Sequence, residues 1–460
     1  MSNRLTRRTF LMGSAALAAG CATGGTRMAD RPAPRYVSPN QKLQVAAIGS
    51  GGKGMSDIWG CRSEDVIALC DADENMAREA MARFPNARFY HDFREMLDKE
   101  DLDAVTVSTP DHTHAVAAVA AMRKGMHVYC QKPLTRDIHE CRTLQIIANE
   151  YGVATQMGNQ GHSDDGVRRF CEMLWTGVVG HVREVHVWTN RPVWPQGLHV
   201  PQGSDEIPET LDWDLWLGPA ADRPYLAMHP ESEKAAYHPF TWRGWWDFGT
   251  GALGDMACHI MDPANWGLGL NAPLSVEPVH MEGATEAQGP LKSIVKYEFG
   301  ERYIPGWGVT APPCTLYWYE GGLLPERPAG VPEDEQLGSG DNGSFFVGDD
   351  GIMTCDTYGG NPRLLPASKM EGYTLPEPYL ERTPGNDSKQ DWIRACKGGP
   401  AACSNFDYAC PFTEIVLLGC LAQRANTRIE WDSANLRIKN PEAQFAQQWV
   451  QSEYRKGWHL

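Results

Sequence analysis

The chain has 460 residues and a formal charge of −16, from 58 acidic and 42 basic residues. That length makes two or three domains, and a composition 42% hydrophobic and 22% charged excludes a disordered or fibrous chain. The acidic balance gives no general electrostatic reason to hold nucleic acid or anionic lipid, while the 16 Trp include candidates for stacking on sugar rings.

Residues 1–25 read as an export signal. Arg4, Arg7 and Arg8 precede an apolar run ending at Gly20, too short to span a bilayer of about 30 Å as a helix. Thr6-Arg7-Arg8-Thr9-Phe10-Leu11 resembles a twin-arginine signal, which sends a folded protein to the periplasm. Leu17-Ala18-Ala19-Gly20-Cys21 resembles a lipoprotein cleavage site, so a lipid anchor at Cys21 stays open. The 13 Cys are scattered without a CxxC pair. Several, such as Cys70, Cys130, Cys258 and Cys420, sit in apolar runs and are read as buried small hydrophobes, with no disulfide framework.

Residues 26–42 form a Pro-rich polar linker. Residues 43–157 alternate short apolar strands (43–48, 66–70, 104–108, 127–130, 153–157) with helical stretches at about 55–61, 74–84, 113–124 and 137–151. This predicts an α/β fold with a doubly wound parallel sheet. Gly49, Gly51 and Gly54 follow the first strand and open a helix, and Asp71 ends the second strand about 20 residues on, the arrangement of a dinucleotide-binding turn. Gly49 permits the turn, Gly51 lets backbone approach a pyrophosphate, and the helix start with Gly52 and Lys53 meets its charge. Asp71 accepts from ribose hydroxyls and repels a 2′-phosphate, which favours NAD over NADP. Residues 158–440 lose the alternation. Strand-like stretches at 181–190, 274–282, 290–299, 314–319 and 345–355, with helices at 386–398 and 411–425, predict an α+β domain with a mostly antiparallel open sheet closing over the first. Residues 441–460 are a C-terminal tail.

Three features carry chemistry. Gln131-Lys132-Pro133 ends a core strand, and Pro133 keeps Lys132 extended so that it reaches into the crevice. In Gly254–Asp262, Asp255 and His259 share a helix face at i and i+4, where a carboxylate orients an imidazole as a proton acceptor. A Trp-rich approach, 237–247, brings Trp242, Arg243 and Trp246 as substrate contacts, joined by Arg191 and Trp194 of a polar-aromatic loop. Asn159, Gln160 and His162 follow a core strand, so that at least one reaches the site, with Asn159 assigned to the cofactor and Gln160 and His162 to the substrate. Thr109, Pro110, His112 and His114 line the cofactor loop; with no further ligand cluster, the two His are not read as a metal site.

Together the glycine loop, Thr109-Pro110-Asp111-His112-Thr113-His114, Lys132-Pro133 and Asp255…His259 resemble the Gfo/Idh/MocA oxidoreductase family over about residues 43–440. The resemblance implies an enzyme oxidising a secondary hydroxyl of a sugar, glycoside or polyol with NAD, and a homo-oligomer. It assigns Lys132 to the reacting hydroxyl, His259 as general base and Asp255 to orient His259. The family usually has Glu before Lys-Pro, where this chain has Gln131. Two other outcomes stay open: bond cleavage through transient oxidation and elimination, and a nucleotide- or sugar-binding protein without turnover.

Overall fold

The computed structural model describes residues 32–460; residues 1–25, read as an export signal, and Cys21 lie outside the described residues. The first lobe is a parallel sheet of β1 (Gln44–Ile48), β2 (Asp65–Cys70), β3 (Arg88–Tyr90), β4 (Ala104–Val107), β5 (His127–Cys130) and β6 (Thr155–Met157), in the order β3-β2-β1-β4-β5-β6. Every residue of β4 and β5 is buried, as a parallel sheet covered on both faces requires. Between the strands run α1 (Lys53–Gly60), α2 (Glu74–Arg83), α3 (Phe93–Lys99), α4 (Asp111–Met122) and α5 (Ile138–Tyr151). β3 and α3 are additions to the elements read from the sequence. The strand has only three residues at the sheet edge, too short for a period to register.

Glycine sets the join of β1 to α1. Gly49 has φ +79°, and a Cβ on Gly54 would lie 1.9 Å from the Gly49 carbonyl oxygen, so neither position accepts a side chain without moving the helix. Asp137 and Glu140 form a capping box that starts α5, directly after the Lys132–Pro133 turn.

The second lobe adds α6 (Asp165–Leu174), β7 (Val182–Trp188), α7 (Trp213–Leu217), α8 (Gly251–Ile260), α9 (Asp262–Gly267), β8 (Ser275–Glu282), β9 (Lys292–Phe299), β10 (Arg302–Ile304), β11 (Val309–Ala311), β12 (Cys314–Glu320), β13 (Gly343–Gly348), β14 (Ile352–Cys355), β15 (Arg363–Leu365), α10 (Ser388–Cys396), α11 (Phe406–Ala425), β16 (Ile429–Asp432) and β17 (Arg437–Ile438). Nine of these strands form one sheet in the order β15-β14-β13-β7-β12-β9-β8-β16-β17. β7 and β12 pair in parallel at its centre and the other neighbours are antiparallel. The stretch 345–355 is a hairpin, turning at 349–351, rather than one strand.

The chain does not leave the first lobe for good. Trp392, Ile393 and Cys396 of α10 pack in one cluster with Leu43, Val45 and Tyr129. Before β1 the linker is held down too, since the Tyr36 hydroxyl donates to the Gly152 carbonyl at 2.8 Å. All twelve cysteines among the described residues are free, and all but the half-buried Cys403 are buried.

Candidate active site

A cavity of about 770 Å³ crosses the carboxyl ends of the first sheet, where ligands of open α/β sheets bind. It runs from Asp71 and His91 beside β2 and β3, past the glycine loop, to Lys132 after β5. From the second lobe, Arg191, Trp194, Trp242, Arg243, His259 and Tyr358 close it. No residue of the nine-stranded sheet lines it: the covering surface is loops, α8 and Leu215 and Trp216 of α7, not the sheet face expected from sequence.

The glycine loop forms a cradle. Gly49, Gly51, Gly52 and Lys53 line the cavity, with Gly54 packed beneath. Gly52 caps α1 with φ +51°, and no atom lies within 4 Å of where its Cβ would stand. No side chain caps the helix; the Gly54 N–H is taken by the Gly51 carbonyl at 2.9 Å, and the uncapped helix start still favours an anion. Asp71 Oδ2 accepts from the backbone N–H of Ser50 at 2.9 Å and of Gly51 at 3.1 Å. Burial raises its carboxyl, and these N–H groups partly offset that. Open backbone, a helix start and an acid at the end of β2 fit a dinucleotide.

Behind the loop lies a carboxylate that sequence reading passed over. Asp57 of α1 is 0% exposed. Its Oδ1 lies 2.6 Å from Lys53 Nζ, and its Oδ2 accepts from Ser108 Oγ at 3.0 Å and Gln131 Nε2 at 2.7 Å. Gln131 therefore ties the Lys132 turn to the helix carrying the glycine loop.

At the other end of the cavity, Lys132 Nζ donates to the Asp255 carbonyl at 2.7 Å and to Asp255 Oδ1 at 2.9 Å. That uses two of its three N–H donors. Arg243 Nε stands 3.4 Å from the same oxygen. Burial pushes the Asp255 carboxyl up, but Lys132 and then Arg243 hold it below its ordinary value. Asp255 makes no hydrogen bond to His259, contrary to the expected orienting role; Lys132 and Arg243 both meet its Oδ1. His259 Nδ1 has no partner, and its ring meets Tyr358 edge-on at 5.0 Å. Burial, then the Lys132 charge, lower its pKa to about 3. It is thus a neutral imidazole across the physiological range, with an unprotonated ring nitrogen but a weaker base than a free imidazole while the Lys132 charge stands beside it.

Asp111 also lines the cavity. Thr250 Oγ1 donates to its Oδ2 at 2.9 Å. Burial raises its carboxyl to about 7, against the pull of Lys132 and the Thr250 bond. The signal was present in the Thr109–His114 string, where an acid follows a core strand and starts a helix. The pH profile of kcat/KM is expected to rise through an inflection near 7, because ionised Asp111 offsets the Lys132 charge that opposes protonation of His259. Asp111→Asn is expected to remove that inflection.

Other expected site residues divide. Thr109, Pro110, Gln160, Arg191, Trp194, Trp242 and Arg243 line the cavity, with the Arg243 guanidinium 4.3 Å from the Trp242 ring. His112, His114, Asn159, His162 and Trp246 do not. The His112 ring lies between the carbonyls of Phe248 and Trp216, and the His114 ring between those of Pro133 and Thr109. Burial lowers these rings to about 3 and about 4, so each is neutral and donates its one N–H to one of its two carbonyls, which braces the loop. Asn159 is 1% exposed, and neither its amide nitrogen nor its amide oxygen has a hydrogen-bond partner. His162 Nδ1 pairs with Asp262 Oδ2 at 2.8 Å, and Tyr408 donates to Oδ1 of the same acid at 2.6 Å. That buried triad is structural. Trp246 belongs to the main core.

A model described as an oxidoreductase family with an NAD-binding Rossmann fold matches residues 43–159, and one for the family's C-terminal alpha/beta domain matches 179–305. The two cover more than half of the chain. The chain belongs to the Gfo/Idh/MocA oxidoreductase family. Its first lobe is the NAD-binding Rossmann fold of that family. Levoglucosan dehydrogenase of Pseudarthrobacter phenanthrenivorans is 25% identical over 270 residues, 55% of this chain and 60% of that protein. Inositol 2-dehydrogenase of Acidothermus cellulolyticus is 25% identical over 189 residues, 39% of this chain and 55% of that protein. The matched region thus spans a little over half the length of these relatives. The WlbA dehydrogenase of Bordetella pertussis, solved with NADH and UDP-GlcNAcA, has the same fold, with a TM-score of 0.57 at 15% identity, covering 85% of this chain and 99% of that one.

Proposed function

We propose that the protein is an exported NAD-dependent oxidoreductase that acts on a secondary hydroxyl of a sugar, glycoside or polyol and keeps its cofactor bound. One observation carries this reading. Lys132 just after β5 and His259 from α8, on different lobes, enter the cavity that the glycine loop also enters. Bound in that loop, NAD supplies the hydride acceptor. The protein's own part is the proton. The free Lys132 N–H holds the hydroxyl oxygen, and neutral His259 accepts the hydroxyl proton. Arg191, Trp194 and Trp242 give the polar and aromatic walls that suit a polyhydroxylated ring, and the dehydrogenase relatives support that substrate class. Asp71 favours NAD over NADP by opposing a 2′-phosphate.

Export supports retention. Residues 1–25 resemble a twin-arginine signal, and buried free thiols suit a chain that folds before it leaves the reducing cytosol. Outside the inner membrane no NAD pool recycles a cofactor, so one that dissociated would be lost.

Purified protein, denatured, is expected to release about one NAD(H) per chain. Intact protein, given a panel of sugars, glycosides and polyols, is expected to change the absorbance of reduced nicotinamide. An empty protein that works only with abundant added NAD would refute retention. Silence across the panel would refute the redox assignment. Glycoside cleavage with no net reduction would turn the reading to bond cleavage through transient oxidation.

A further inference from the structure

The segment after β17 returns to the cofactor cleft. It has no regular element beyond Trp449, yet three anchors fix its path. Near its start, the Ser452 N–H donates to Asp137 Oδ2 at 2.8 Å and the Tyr454 hydroxyl to Glu140 Oε1 at 2.6 Å. These are the two acids of the α5 capping box, just beyond the Lys132 turn. Next, Arg455 grips the region of α7. Its Nε donates to the Gly218 carbonyl at 3.1 Å, its Nη2 to the Asp214 carbonyl at 2.7 Å, and it pairs with Asp214 and Asp222. Last, Trp458 packs on α3 of the first lobe. Its ring centroid lies 6.0 Å from that of Phe93, with the Arg94 guanidinium 4.4 Å over its face.

Trp458 and Phe93 line the cavity, on the side of Asp71, Ala72 and His91. The sheet order puts β2 and β3 at one edge and β5, with Lys132, on the far side of β1. If the chemistry is at Lys132 and the phosphates are at the glycine loop, the adenosine half belongs at the β2–β3 edge. Trp458 stands there, on a segment pinned to both lobes.

We propose that Trp458 is part of the cofactor site. With Phe93 it forms an aromatic wall for the adenine, and the Arg455 anchor makes residues 450–460 a strap that must loosen before the nucleotide leaves. A flat purine stacks on aromatic side chains, and a ring held by Arg94 and Phe93 is ordered beforehand, which lowers the entropy lost on binding. The inference rests on the NAD reading and supplies a physical device for retention.

The test loads the whole protein with NADH, mixes it with excess NAD, and follows loss of bound nicotinamide fluorescence. Trp458→Ala is expected to speed release about tenfold. Trp458→Phe, which keeps a stacking ring, is expected to stay within about threefold of wild type, and the exposed Lys456→Ala to match it. Reduced nicotinamide mononucleotide, which lacks the adenosine half, is expected to bind wild type and Trp458→Ala alike. Weaker binding of that probe to the variant would overturn the adenine assignment. Release from Trp458→Ala at the wild-type rate would overturn the strap and leave the NAD reading standing; wild type that takes up no NADH would overturn both. If Trp458→Ala loses its thermal transition, Arg455→Met carries the test, since loosening that anchor should also speed release and an unchanged rate rejects the proposal.

Discussion

Lys132→Met is expected to lower turnover about a thousandfold while NADH still binds. Methionine keeps the length and apolar stem of lysine but donates nothing, so a substrate hydroxyl loses its donor and Asp255 loses two hydrogen bonds. General acid–base groups contribute roughly a hundredfold to ten-thousandfold, and a thousandfold equals about 4 kcal/mol in the barrier. His259→Ala removes the other half of the proton path and is expected to cost about a hundredfold or more. The double variant is expected to be little worse than Lys132→Met, because groups that move one proton act as a unit. Asp255 keeps Arg243 at 3.4 Å, so the fold should survive, as a thermal melt would confirm. Steady-state rates on whichever sugar responds decide the matter. Lys132→Met turning over within tenfold of wild type would remove the lysine from the mechanism.

The first lobe was legible because its determinants are local. Buried parallel strands are continuous apolar runs, and a glycine turn between strand and helix has a fixed spacing, so β1, β2, β4 and β5 stand within a residue or two of their expected places. β3 fails that test because three residues at an edge carry no period. In the second lobe, strands recur without a motif, so the 345–355 hairpin merged into one run. At the site, a strand end or a helical i, i+4 pair placed Lys132, Asp255 and His259 in the cavity. Burial decided the misses. His112, His114 and His162 carry site chemistry in their side chains, but backbone carbonyls or Asp262 take their ring nitrogens. Asp57 and Trp458 were invisible for a different reason: each acquires its role from a partner far along the chain, Gln131 for one and Phe93 for the other.

Gln131→Glu, which restores the residue the resembling family usually carries, is expected to damage this chain. The amide donates to Asp57 Oδ2 at 2.7 Å. A carboxylate in its place sets two acids at hydrogen-bond distance, with Lys53 and Ser108 as the donors that Asp57 already uses. Such a pair holds one proton between them, raising one pKa by 2–3 units, a cost of roughly 3–4 kcal/mol at pH 7. The sign follows from that rise. Below the unfolded carboxyl value, about 4.3, both states are protonated and the cost vanishes; it grows as pH rises and levels off above the folded value. Denaturant melts at pH 4 and pH 7 are therefore expected to show a deficit only at the higher pH. Asp57→Asn combined with Gln131→Glu rebuilds an acid–amide pair in the opposite order and is expected to recover most of the loss, a coupling that neither single change supplies. Because the pair joins α1 to the Lys132 turn, Gln131→Glu should also weaken NAD binding and slow turnover together. A Gln131→Glu protein as stable as wild type at pH 7 would show that Asp57 and Gln131 are not coupled, and the link between the glycine loop and the catalytic lysine would have to run elsewhere.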